Sequence, residues 1–152
     1  MNPQPLSRYV ITDRIQWIEK MLAEIQQLPL ESQTVFLADS RNIWSAESCL
    51  RRALEALFDL GRHILAKGFA EGTSEYKGIT LSLERHKVIT SEEASVMMIL
   101  AGYRNRLVHF YHEVSAEELF QICVHQLNDV VFVLNGIRRW INNNQNLLDD
   151  SH

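Results

Sequence analysis

Apolar residues recur along this chain at spacings of three and four, the period that lines one face of a helix. Within residues 12–28, Ile15, Ile18, Leu22, Ile25 and Leu28 keep that spacing, with Thr12 or Asp13 as the predicted cap and Pro29 beyond the end. A longer stripe of Ile43, Ala46, Leu50, Ala53, Leu57, Leu60 and Ile64 predicts a helix over 40–67. Asp39 can cap it, Gly68 follows it, and Gly61 within it offers a close approach to another helix. The pattern loosens in "GFAEGTSEYKGITLSLERHKVI", where one short helix is predicted over 79–87. Thr90-x-x-Glu93 then has the form of a capping box and announces a third long helix. Ser115-x-x-Glu118 repeats the form and opens a helix predicted to run to about Asn143, with Leu119, Ile122, Leu127, Val130, Val131, Leu134 and Ile137 facing the core. No stretch alternates as a half-buried strand would, and no repeat is visible. The pattern predicts an all-α antiparallel bundle of four main helices with short helical segments, one domain over 1–152, and flexible tails at 1–11 and 144–152.

Composition agrees with that reading. Six glycines and three prolines are few, and two of the prolines fall in the first five residues, so little interrupts the helices. A chain of 152 residues that is 46% hydrophobic and 22% charged can bury a substantial core as a single globular unit. No apolar run approaches the roughly 20 residues that span a bilayer. The opening "MNPQPLSRYVITDR" lacks the basic and apolar regions of a signal peptide. Cys49 and Cys123 have no metal-binding or redox spacing and read as buried thiols. A cytoplasmic protein is expected. The net charge of −4 argues against a protein that coats nucleic acid through many phosphate contacts, yet leaves room for a local arginine site.

Candidate chemistry gathers in "YRNRLVHFYHE", residues 103–113, between the third long helix and the one begun at Ser115. An imidazole can remove or deliver a proton near neutral pH, which makes His109 a candidate acid or base, and the ribose 2′-hydroxyl is the natural source of that proton. Arg104 can stabilise charge on the oxygens of a pentacovalent phosphorus, and Asn105 can orient the imidazole or the phosphate. The chemistry suggested is metal-free cleavage of an RNA phosphodiester. On a continuous helix, however, Arg104 and His109 would stand about 140° apart. The helix unwinds before His109, the arginine bends round, or two chains share the site.

The segment "RNRLVHFY" resembles the Arg-x4-His-x-Tyr motif of HEPN-domain ribonucleases, most closely that of the HepT-like toxins. The likeness extends to "AESCLRRALEALFDLGRHILA" and "VITSEEASVMM". It implies a HEPN helical bundle assembled as a homodimer, with two motifs facing one cleft. By that resemblance Arg104 and His109 match the catalytic pair, and Asn105 the accessory polar residue. Tyr111 matches the tyrosine that a cognate MNT-type nucleotidyltransferase antitoxin modifies with AMP, in a type VII-like toxin–antitoxin system. The substrate would be tRNA or mRNA, with no cofactor and no metal. Arg106 and His112 are further candidates for RNA contact. Some HEPN bundles instead only bind nucleotides or a nucleotidyltransferase partner, a non-catalytic alternative for this chain.

Other residues read more plainly. His109, His112 and Glu113 have metal-ligand spacing but no matching third cluster nearby in the sequence. His63, His86 and His125 stand alone. Arg51-Arg52 and Arg138-Arg139 flank apolar stripes and read as solvated edges, whereas Arg85-His86-Lys87 sits where it can lean over a cleft. Met97, Met98 and Leu100 read as core or dimer surface, and Trp17, Trp44 and Trp140 as packing residues.

Overall fold

Side-chain caps decide where this chain enters each of its helices. In the computed structural model, which describes residues 2–150 (Tyr111 by its backbone alone), strand β1 (Leu6–Ser7) leads into helix α1 (Arg8–Gln26). Ser7 caps α1, its Oγ accepting the backbone N–H of Val10 at 3.2 Å. The helix therefore begins ahead of Thr12 and Asp13, the expected caps, and Ile11 joins its buried stripe. A short helix, α2 (Gln33–Ala38), follows behind a Ser32 cap. It was not predicted, because six residues are too few to display a period. Its Phe36 is fully buried and meets Phe120 at a ring distance of 5.2 Å.

Helix α3 (Ser40–Gly68) starts at Asp39, whose carboxylate accepts from the backbone N–H of Arg41 at 2.9 Å. It is the axis of the molecule. The remaining helices are α4 (Tyr76–Arg85), α5 (Ser91–Leu107), the single turn α6 (Phe110–Glu113), α7 (Ala116–His125) and α8 (Leu127–Asn142). Helix α3 touches α1, α2, α4, α5, α7 and α8, and Leu50, Leu54, Leu57, Phe58, Leu60 and Ile64 bury its inner faces. Gly61 does what its position suggested. A Cβ there would lie 2.9 Å from Leu83 Cδ1 and 3.1 Å from Ile79 Cγ2, so the glycine lets α4 come close.

The predicted helix from Ser115 to Asn143 is two helices. Gln126 closes α7 and opens α8 with backbone angles φ −112° and ψ −3°. Above this hinge α7 packs on α2 and α3, and below it α8 packs mainly on α5. One straight rod could not serve both. No helix among the described residues is long and apolar enough to cross a membrane.

The two ends of the chain, expected as tails, meet. Leu6 and Ser7 pair in parallel with Leu148 and Asp149 of strand β2, and Arg8 Nε donates to Asp150 at 2.7 Å. Beneath this junction the N–H of Ser7 donates to His63 Nε2 at 3.0 Å, which only an unprotonated nitrogen can accept. Burial lowers the His63 pKa, and Lys67 and Arg14 push it the same way. The unfolded chain therefore binds a proton below about pH 6.5 that the folded chain resists. Stability is expected to hold above that pH and to fall as the pH drops towards the folded value. Urea melts at pH 7.5 and 5.5 check this: the midpoint should drop further for the parent than for H63Q, and equal drops would acquit His63.

Candidate active site

Arg104 opens the last turn of α5, and the helix stops soon after it, at Leu107. Val108 retains helical angles, but His109 does not, at φ −113° and ψ 47°. The N–H of His109 donates to the carbonyl of Arg106 at 3.0 Å, and its own carbonyl accepts from Glu113 at 3.0 Å to begin α6. The chain thus unwinds just before His109, one of the three arrangements the spacing allowed. Val114 is extended, and Ser115 Oγ accepts from the N–H of Glu118 at 3.0 Å to start α7. The Glu118 carboxylate does not reach back to complete a box. It is taken by Arg106.

That arginine is a clamp. Its Nη1 and Nη2 donate to the two carboxylate oxygens of Glu118 at 2.7 and 2.6 Å, and Nη2 also donates to the carbonyl of Glu113 at 2.6 Å. The end of α5 is thereby tied to the far side of the turn that carries His109. The hydrogen bonds to Glu118 raise the Arg106 pKa, and those same bonds lower the Glu118 pKa.

Arg104 is half-buried and turned towards α3. Its Nη2 donates to Glu55 Oε2 at 3.0 Å, and its guanidinium carbon stands 4.4 Å from the ring centre of Tyr76. Glu55 also meets Arg51 Nη1 at 3.4 Å, and Arg51 Nε donates to Glu47 at 2.9 Å. Two guanidinium groups and two carboxylates therefore balance in the lining of a cleft of about 390 Å³. Trp44, Leu107, Val108 and Phe110 complete that lining, and the last two are the chain neighbours of His109. The rings of Trp44 and Phe110 meet edge-on at 6.1 Å.

Asn105 and His109 are exposed, as are His112 and Glu113. Among the described residues no side-chain hydrogen bond or ion pair joins Asn105, His109 and Arg104. The side chain of Tyr111 lies outside the described residues. Three or more His, Cys, Asp or Glu side chains nowhere converge among those described. Arg85 pairs with Glu71, and His86 stacks on Phe69 at 4.2 Å, so neither enters this cleft. Burial drives the Cys123 thiol up to about 12, and Cys49 is likewise free. Glu55 and Tyr76 are the residues that sequence reasoning missed. The Glu47-Arg51-Glu55 ladder at i,i+4 was visible as a pattern, but nothing in it names Arg104 as the fourth member.

Comparison with known proteins now adds to this geometry. The family described as "Ribonuclease HepT-like" matches residues 18–135. A tRNA nuclease HepT from Aphanizomenon flos-aquae (strain 2012/KM1/D3) is 24% identical over 111 residues, which are 73% of this chain and 76% of that protein. Among solved structures, a tri-AMPylated Shewanella oneidensis HEPN toxin in complex with an MNT antitoxin has a TM-score of 0.76 at 23% identity, covering 86% of this chain and 97% of that one. The cytosolic protein of unknown function YutE from Bacillus subtilis also has a TM-score of 0.76, at 21% identity, covering 97% and 99%. These two likenesses bear on the fold, and they agree with the all-α reading.

Proposed function

The chain belongs to the ribonuclease HepT-like family, and from that premise we propose that it is a metal-independent endoribonuclease, the toxin of a toxin–antitoxin pair. One observation carries the reading. The turn that takes His109 out of helix α5 lies between Val108 and Phe110, which line the same cleft as Arg104. In the reaction, His109 takes the proton of a ribose 2′-hydroxyl while that oxygen forms a bond to phosphorus. The phosphorus–O5′ bond breaks, and the leaving oxygen is protonated by the second His109 of a homodimer or by water. The products are a 2′,3′-cyclic phosphate and a 5′-hydroxyl. Arg104 meets the phosphoryl oxygens, exchanging the Glu55 carboxylate for them. Asn105, one turn before His109, orients the bound phosphate. Because a relative is a tRNA nuclease, tRNA is the substrate class we favour.

The family resemblance also supplies a mode of regulation. Tyr111 lies two residues past His109, in α6. A nucleotidyltransferase antitoxin would join its phenolic oxygen to the α-phosphorus of ATP and release pyrophosphate. The added AMP brings bulk and negative charge two residues along the chain from His109, which opposes the binding of an RNA phosphate. A second reading, a non-catalytic module that binds nucleotide or the nucleotidyltransferase, draws on the commitment of Arg104 to Glu55.

The deciding experiment incubates tRNA and mRNA pools with partner-free protein in EDTA, beside His109→Ala. Cleavage by the parent alone, leaving 2′,3′-cyclic phosphate ends, is expected. After a separate incubation with the antitoxin, ATP and magnesium, cleavage should stop and the intact mass should rise by AMP, a gain lost in Tyr111→Phe. No cleavage by unmodified parent would favour the non-catalytic module, and equal cleavage by His109→Ala would remove His109 from the mechanism.

A further inference from the structure

We infer that Tyr76 is a positioning residue that holds the Arg104 guanidinium in its working orientation through the whole reaction. The inference rests on the ribonuclease reading for its consequence, but its geometry stands alone. Three planar groups lie in a column. Phe58, fully buried on α3, stacks on Tyr76 with ring centres 4.5 Å apart and planes 15° from parallel. The guanidinium carbon of Arg104 then stands 4.4 Å from the Tyr76 ring centre, within reach of a cation–π contact. The lower rings belong to the core, so the column is rigid from below.

Contact with the ring alone does not fix how the guanidinium is turned. In the resting structure Glu55 fixes it, accepting from Nη2 at 3.0 Å. The Nε of Arg104 is buried with no acceptor. The edge contact with Glu55 is the one an incoming phosphate would compete for, since both are anionic oxygens seeking the same N–H groups. The face contact is different. Phosphate oxygens approach in the guanidinium plane, where the N–H bonds point, and leave the ring face undisturbed. Tyr76 is therefore the support that persists while Glu55 and phosphate exchange. Burial raises the Tyr76 pKa against the opposing pull of Arg104, so the ring stays neutral and its face stays electron-rich.

The contact spans α4 and α5, and the segment that supplies Tyr76 carries no motif of its own. Arg62 also approaches the ring, at 5.9 Å, but its Nη1 is paired with Asp59 at 2.7 Å.

The test compares Tyr76→Phe, which keeps the ring, with Tyr76→Leu, which does not. Nitrogen-15 NMR of the arginine Nε–H groups reads position directly. Tyr76→Phe should leave the Arg104 signal shifted by the ring and slow to exchange; Tyr76→Leu should move it and speed its exchange. On RNA, Tyr76→Leu should lower kcat roughly 10-fold while KM changes less, Tyr76→Phe should stay within about twofold, and Tyr76→Leu added to Arg104→Ala should cost nothing further. Circular dichroism confirms the fold, and Tyr76→Met, longer than leucine, replaces a variant that fails it. An unmoved Arg104 signal in the ring-free variant, or the same 10-fold loss in the Arg104→Ala background, overturns the inference. A parent that cleaves no RNA overturns the ribonuclease reading instead, and the NMR arm still decides whether Tyr76 holds Arg104.

Discussion

Replacing Gly136 with alanine is expected to destabilise the fold by about 3 kcal/mol, through overpacking against a carboxylate that cannot step aside. A Cβ at Gly136 would stand 2.6 Å from Glu93 Oε2. That carboxylate is buried and fully engaged. Arg139 donates to both its oxygens, at 2.7 and 2.9 Å, and the N–H of Thr90 donates to Oε1 at 2.9 Å in the capping box of α5. Moving it would break the cap and strand a charge, and leaving it would force α8 away from α5. Urea denaturation gives the measurement, and a loss under about 0.5 kcal/mol would show that the helices part without strain. The same group has an acid signature. Burial pushes the Glu93 pKa up, but the hydrogen bonds from Arg139 and Thr90 outweigh it and the net shift is downward. The stability it contributes is therefore complete above the ordinary carboxylate range and is lost as the pH falls from that range towards the lower folded value.

That clasp also marks how far the sequence could be read. The Thr90 box was legible because its two partners are three residues apart, and the structure has both of its hydrogen bonds. Asp39 and Ser115 were legible for the same reason. The third partner of Glu93, Arg139, lies 46 residues away and sat in a basic pair that read as a solvated edge. Gln126 was invisible for a different cause. Its hinge has no glycine, proline or side-chain cap, and it is imposed by the different partners on which α7 and α8 pack. Ser7 outranked Thr12 and Asp13 because pairing with Leu148 and Asp149 fixes the chain before the helix begins. The site divides along the same line. Arg104 and His109 stood in one short segment, so their proximity needed only the local break. Glu55, 49 residues from Arg104, and Tyr76 on α4 required the tertiary fold.

Arg106→Ala is expected to lower RNA cleavage by about 100-fold while barely moving the melting temperature, and the reason is positional. Its ion pair with Glu118 is more than one-third exposed on both sides, so it contributes little to stability by itself. What it does is span a turn. One guanidinium grips the first turn of α7 and the carbonyl of Glu113 at once, bracketing the segment that presents His109. Without it, that segment keeps its backbone bonds and the Phe110 contact with Trp44 but loses the brace across the turn, and an ångström of drift in a proton acceptor is enough for the expected loss. Arg106→Lys should not restore the rate, because an ammonium cannot reproduce the planar fork that meets two carboxylate oxygens and a carbonyl. Glu118→Ala supplies the decisive comparison. As a clamp, the pair predicts that Glu118→Ala also lowers cleavage, by less than Arg106→Ala because the bond to the Glu113 carbonyl remains, and that neither change alters the salt dependence of RNA binding. As a phosphate contact, Arg106 alone would matter, and its loss would flatten that salt dependence by about one phosphate's worth. A Glu118→Ala variant as active as the parent, with Arg106→Ala weak in binding, would return Arg106 to the RNA interface.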